Sequence, residues 1–222
     1  MPPTSKGQGG VWLVLDLTAE HAGTEVSRDL AALADQVTGL TVAAGPALRA
    51  ALSGRADRPA SNAALVEPAS PAALLHRAAL AAPPEVTVLA WGDEGLLDTR
   101  GQALLAAACA RLDQTSAQRC GAVACATPVA DAVREIDERG NLVGCVERAG
   151  LYALEAPLVL RRAVARALEP ADRGVAVGTD AGARGAAGLD GLLARLEQAG
   201  HAVQVLDRSA PGATSADRGG ER

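Results

Sequence analysis

Short apolar runs that alternate with helix-spaced segments constrain this chain more than any other feature it carries. The first run, Val11-Trp-Leu-Val-Leu-Asp-Leu17, follows ten residues rich in Pro, Ser and Gly, so a flexible N-terminus over 1–10 and a fold that begins at residue 11 are expected. Val26, Leu30, Leu33 and Val37 then recur at helical spacing over 24–38, and Gly39 reads as the stop. A second strand is predicted at 40–44, a short helix opened by Pro46 at 46–52, a loop at 53–62 and a strand at 63–66. Ser70-Pro71 has the form of an N-cap and first helical residue for a helix running to Leu80, which Pro83-Pro84 closes.

The clearest strand is Glu85-Val-Thr-Val-Leu-Ala-Trp91, which runs into Gly92-Asp-Glu-Gly95. A helix at 101–112 and the run Gly121-Ala-Val-Ala-Cys-Ala126 follow. Such alternation predicts an α/β fold of three layers, Rossmann-like, on a mostly parallel sheet. Ligands bind beyond the carboxyl ends of the strands in sheets of this kind, which singles out the loop at 92–95.

Past Ala126 the pattern changes. Residues 129–136 and 142–146 flank Asp137-Glu-Arg-Gly-Asn141, whose Gly and Asn suit a hairpin turn, so a protruding β-arm over about 129–146 is expected. Residues 157–168 read as helical. Leu189, Leu192, Leu193 and Leu196 mark one face of a later helix, with Gly200 as its cap and a strand at 201–206. At 222 residues one sizeable core is affordable, so residues 11–207 are read as one domain and 208–222 as a flexible tail.

Charge narrows the function. The net charge is −5 and Lys6 is the only lysine, with arginine carrying nearly all the positive charge. An acidic chain with no basic cluster gains little counterion release, and one that has no Phe and 1% aromatic residues has little to stack bases on, so nucleic acid is not an expected partner. No run approaches the roughly 18 to 20 apolar residues of a bilayer span, so no membrane partner and a cytoplasmic location are expected. Cys109, Cys120, Cys125 and Cys145 form no C-x-x-C pair and have no histidine at zinc-ligand spacing, which points to free thiols packed as small hydrophobes. A nucleophile elbow Gly-x-Ser-x-Gly and a Gly-x-Gly-x-x-Gly after the first strand are both absent, and His76 and His201 have no acidic partner in sequence.

A set of ordered segments carries a resemblance. Pro128-Val-Ala-Asp131, Asp137-Glu-Arg-Gly-Asn141, Val146-Glu-Arg148-Ala-Gly-Leu-Tyr152 and Pro157 resemble the second half of the 2-C-methyl-D-erythritol 4-phosphate cytidylyltransferases, and Thr179-Asp180 with the helix and strand that follow is similar to that family's Thr-Asp-Glu segment. The likeness covers about residues 85–206. It implies a nucleotidyltransferase-like fold, a homodimer joined through the β-arm, and substrate binding by Arg148, Asp131, Thr179 and Asp180. Asp93 would hold Mg²⁺, but only with a bound nucleotide. The possible ligands it implies are a nucleotide or a sugar-alcohol phosphate.

The same resemblance shows what has been lost. The family's Ala-Ala-Gly-x-Gly-x-Arg loop, whose backbone N–H groups cradle phosphates, corresponds here to Leu15-Asp-Leu-Thr-Ala-Glu-His-Ala-Gly23, with no paired glycines and no lysine. Its His-Asp-Ala-Ala-Arg-Pro loop corresponds to Trp91-Gly-Asp-Glu-Gly-Leu96, and its threonine before Pro-Gln to Ala156. A triphosphate would meet Asp16 and Glu20 instead of cations. Phosphoryl transfer rests on positioning and charge stabilisation, so a pseudoenzyme of this isoprenoid-pathway family is expected, acting as a binding or scaffold protein. The alternatives are an active CTP-dependent enzyme in which Arg28, Arg49 or Arg148 replace the lysines, and an unrelated small-ligand α/β domain. Locally, Asp93-Glu94 also fits a solvated loop, Thr179-Asp180 a helix cap, and Arg148 an ion pair with Glu147 or Asp131 that fixes the arm.

Overall fold

The computed structural model describes residues 10–17, 24–53, 63–116, 120–131, 133–168 and 181–208. The elements are β1 (Gly10–Leu17), α1 (Thr24–Ala34), β2 (Gly39–Ala44), α2 (Pro46–Ser53), β3 (Ala63–Val66), α3 (Pro71–Ala81) and β4 (Val86–Gly92), then a 3-10 turn (Glu94–Leu97) and α4 (Thr99–Asp113). They continue with β5 (Ala122–Pro128), β6 (Val133–Ile136), β7 (Leu142–Val146), β8 (Tyr152–Arg161), α5 (Arg162–Ala167), α6 (Ala181–Gln198) and β9 (Val203–Asp207). Seven strands form one sheet in the order β3-β2-β1-β4-β8-β5-β9. All pairings in it are parallel except the two made by β8.

Side-chain alternation along the strands divides the core in two. Leu13, Leu15, Leu40, Val42, Val88 and Ala90 face Leu30 and Leu33 of α1, Leu48 of α2, and Leu104 and Leu112 of α4. Val14, Ala43, Leu89, Trp91, Leu158 and Leu160 face Leu74 and Leu75 of α3, Val164 of α5, and Leu192 and Leu196 of α6. This is the three-layer α/β architecture expected from the alternation. Among the described residues no helix is long and apolar enough to cross a membrane.

Small residues set the closeness of packing. A methyl group on Gly101, in the first turn of α4, would lie 1.9 Å from the carbonyl oxygen of Gly95, so the helix can meet the loop after β4 only with glycine there. Gly39 serves a different purpose from the helix stop that its position in sequence suggests. α1 ends at Ala34, and Gly39 opens β2 beneath the Trp12 ring, where a Cβ would come within 2.4 Å of the indole. Trp12 is held there by its Nε1–H, which donates to Thr41 Oγ1 at 3.0 Å.

The largest departure from expectation concerns residues 157–168. They do not form one helix: Tyr152–Arg161 is β8, which runs antiparallel between β4 and β5, and only Arg162–Ala167 is helical. Pro157 obscured this strand, because proline removes a ladder donor. It sits where the β5–β8 register jumps from Ala124↔Leu158 to Cys125↔Glu155, a break at which no ladder bond is needed. Two arginines at the end of β8 then tie the helical layers to the sheet. Arg161 donates to the carbonyls of Leu112 and Thr115 at the C-terminal end of α4 and to that of Cys120 just before β5, and Arg162 donates to those of Ala79, Ala82 and Pro83 at the end of α3.

The β-arm is a separate two-stranded sheet of β6 and β7. It is shorter than its sequence suggests, since residues 129–131 are not strand. Its turn is closed by Asp137, whose carboxylate accepts from the backbone N–H groups of Arg139 and Asn141 and from the Asn141 side chain. The Asn141 amide, first among these donors, holds the Asp137 carboxyl below the usual carboxylate range.

Candidate functional site

β4 and β8 part company at the carboxyl edge of the sheet. Their ladder ends at Trp91↔Leu158, whereas β8 stays beside β5 as far as Tyr152↔Pro128. The seam opens beyond that point into a cavity of about 450 Å³ between the loop after β4 and the start of β8. Trp91, Leu96, Leu104, Leu154 and Leu189 give it an apolar wall, and Asp93, Glu94, Glu155 and Arg208 supply its charge. Its size is that of a small-molecule site.

Each polar group has a traceable position. Trp91, the last large residue of β4, is 4% exposed, and its indole Nε1–H has no hydrogen-bond partner. Glu155 projects from β8 opposite Cys125, accepting from Thr127 Oγ1 at 3.0 Å and from Arg208 Nη1. Arg208 is fixed just beyond β9 by its backbone N–H, which donates to Ala126 O at 2.9 Å, while its Nε–H is buried without a partner. Asp93 caps the 3-10 turn, with Oδ1 accepting from Gly95 N at 3.0 Å, and Asp98 caps α4 through Gly101 N at 2.7 Å.

Of the residues predicted from sequence, Asp93 lines this cavity. Arg148 lies exposed on the chain leaving the arm, and its guanidinium donates to the carbonyl of Ala130, not to the Asp131 or Glu147 carboxylate that an arm-fixing ion pair would require. Asp131 is exposed nearby. Neither is among the cavity-lining residues, and Thr179 and Asp180 lie outside the described residues. Arg28 pairs with its neighbour Asp29 at 3.7 Å, and Arg49 with Glu67 at 3.3 Å.

Glu155, Arg208 and Trp91 were not legible as site residues. Glu155 lies between Tyr152 and Pro157 at a position to which the resemblance assigns no role, and Arg208 falls at the start of the tail read from composition. The one available signal was the position of Trp91 at the carboxyl end of the clearest strand.

Metal and thiol chemistry can be judged from the same residues. Among the described residues no three His, Cys, Asp or Glu side chains gather to hold a metal ion. Cys109, Cys120, Cys125 and Cys145 are all free. Burial pushes the Cys125 thiol up to about 11, against the opposing pull of Arg208 beside it. Burial, reinforced by Asp113, pushes Cys109 up to about 12. Both are neutral thiols at physiological pH, which removes them as nucleophiles.

No family model matches the sequence, and no curated protein sequence matches it significantly. Solved structures do resemble its fold. The 4-diphosphocytidyl-2C-methyl-D-erythritol synthase of Anaerococcus prevotii shares 14% identity with a TM-score of 0.58, the match covering 92% of this chain and 90% of that one. The 2-C-methyl-D-erythritol 4-phosphate cytidylyltransferase of Francisella tularensis shares 10% identity at TM-score 0.55, covering 94% and 96%. That of Thermus thermophilus shares 20% at TM-score 0.50, covering 90% and 89%. The likeness is one of fold, extended over nearly the whole of each chain.

Proposed function

We propose that this chain is a divergent relative of the methylerythritol phosphate cytidylyltransferases that has kept the scaffold, lost cytidylyl transfer and acts by binding. One observation carries the reading: among the described residues, the lining of the cavity at the carboxyl edge sets Asp93, Glu94 and Glu155 against one cation, Arg208, whose guanidinium is already engaged by Glu155. A nucleoside triphosphate with about four negative charges would be repelled there, and only Lys6 in the whole chain could replace the lysines such chemistry uses. Arg28, Arg49 and Arg148, the arginines that could substitute in an active enzyme, are not among the cavity-lining residues. Mg²⁺ belongs to this reading only as a companion of bound phosphate at Asp93.

The arm supports association with a second copy. Leu142, Val143 and Val146 of the hairpin are 70%, 57% and 40% exposed, and a two-stranded hairpin is marginal in water until a further surface covers it. A homodimer joined through β6 and β7 satisfies both facts. Four free thiols fit a cytoplasmic setting.

Calorimetric titration with CTP and Mg²⁺, followed by a pyrophosphate-release assay with methylerythritol 4-phosphate, tests the loss of transfer. No saturable heat and no pyrophosphate are expected. Turnover above background overturns the reading.

A further inference from the structure

We infer that the cavity beside Trp91 takes an uncharged, hydroxyl-bearing small molecule and discriminates against its phosphate ester. The inference rests on the loss of cytidylyl transfer proposed above and names what the same site would hold instead. Three features converge on that chemistry.

The first is unmet donors. Trp91 Nε1–H and Arg208 Nε–H both belong to cavity-lining residues, and both are buried with no acceptor. Buried donors left unpaired are costly, and an occupant with oxygen acceptors that reached them would recover that cost. The second is an acceptor at the mouth, where the carboxylate of Asp93 is exposed.

The third is net charge. Among the described lining residues, the Asp93 and Glu155 carboxylates outnumber the Arg208 guanidinium, which has spent its charge on Glu155, itself held on its other oxygen by Thr127. A hydroxyl group both accepts and donates, so it meets the donors and the rim together and adds no charge. A phosphate ester accepts only and brings negative charge to an acidic rim. An ammonium donates only and leaves the two N–H groups unmet. The leucines and the Trp91 ring give the carbon skeleton an apolar seat within 450 Å³.

The test uses a matched pair: 2-C-methyl-D-erythritol and its 4-phosphate, titrated calorimetrically into the full chain, with Mg²⁺–CTP as a separate arm. The expected result is saturable binding of the free polyol, tighter than the ester by about tenfold or more. In Glu155→Gln, which frees Arg208, and in Asp93→Asn, which keeps a capping oxygen, the ratio should shift toward the ester. Near-UV circular dichroism checks that both variants fold. An ester that binds as tightly as the polyol, or no saturable polyol binding at millimolar concentration, overturns the inference. Pyrophosphate release in the CTP arm would instead overturn the loss of transfer, so the two failures are told apart.

Discussion

Replacing Arg162 by methionine should destabilise the protein by about 2–3 kcal/mol, and the figure follows from what its guanidinium does. It donates to Ala79 O at 3.1 Å, to Pro83 O at 2.6 Å and to Ala82 O, the carbonyls that the last turn of α3 and its exit leave without helical partners. Hydrogen bonds from a charged donor contribute about 1.5–3 kcal/mol each, which would sum to more than twice the stated loss. Arg162 is only half-buried, however, so water can reach some of these oxygens once the side chain is gone. Favourable placement of a cation at a helix C-terminus adds about 0.3–1 kcal/mol.

Methionine keeps much of the stem's packing, so the loss is assigned to the guanidinium and not to a cavity. Arg162→Lys should recover less than half, because one compact ammonium cannot span three carbonyls as a planar fork does. Arg166→Met, an exposed arginine in the same short helix, is the control and should change stability by less than about 0.5 kcal/mol. Urea unfolding followed by circular dichroism reads the series as a midpoint shift of about 1 M for Arg162→Met, given typical slopes. A midpoint within about 0.2 M of the parent, or full rescue by lysine, refutes the argument that the fork caps α3.

Three further outcomes are expected. Leu142→Arg, with the side chain 70% exposed on the arm, should shift a dimer to monomer in sedimentation velocity while leaving the far-ultraviolet spectrum unchanged; a species already monomeric in the parent would sink the arm-mediated dimer. Gly39→Ala should cost about 1–3 kcal/mol and alter Trp fluorescence, since the new Cβ would lie 2.4 Å from the Trp12 ring; an unchanged melting temperature would show that the indole yields freely. The contribution of Cys109 and Cys125 to stability should be level below pH 9 and fall from there toward pH 11 and 12, because the unfolded thiols ionise near 9 while burial keeps the folded ones protonated. The fall is about 1.4 kcal/mol per pH unit per thiol, and Cys109→Ala with Cys125→Ala should flatten the curve.

Much of the α/β scaffold was readable because its signals are local. Ser70 accepts from Ala73 N as the N-cap expected of Ser-Pro, residues 63–66 form β3 with the predicted limits, and Gly200 ends α6 with φ +76°. β8 was not readable, because Leu154 to Leu160 contains both a helix-compatible spacing and a proline, and only the neighbouring β4 and β5 decide that it is extended. Gly39 looked like a helix stop for the same reason: the Trp12 ring that requires a glycine comes from 27 positions earlier in the chain.

The candidate site divides along the same line. Composition alone dictated the shortage of lysine, and with it the expectation of a poor match to a triphosphate, since no folding can supply a residue that the chain lacks. Sequence also placed Asp93 at the carboxyl end of the clearest strand. Only the tertiary structure could bring Glu155 of β8 and Arg208 beyond β9 to that strand's end, from 62 and 115 positions away, and seal the Trp91 indole beside them. Local preferences act over a few residues, whereas a cavity is made by whichever strands the packed core sets side by side.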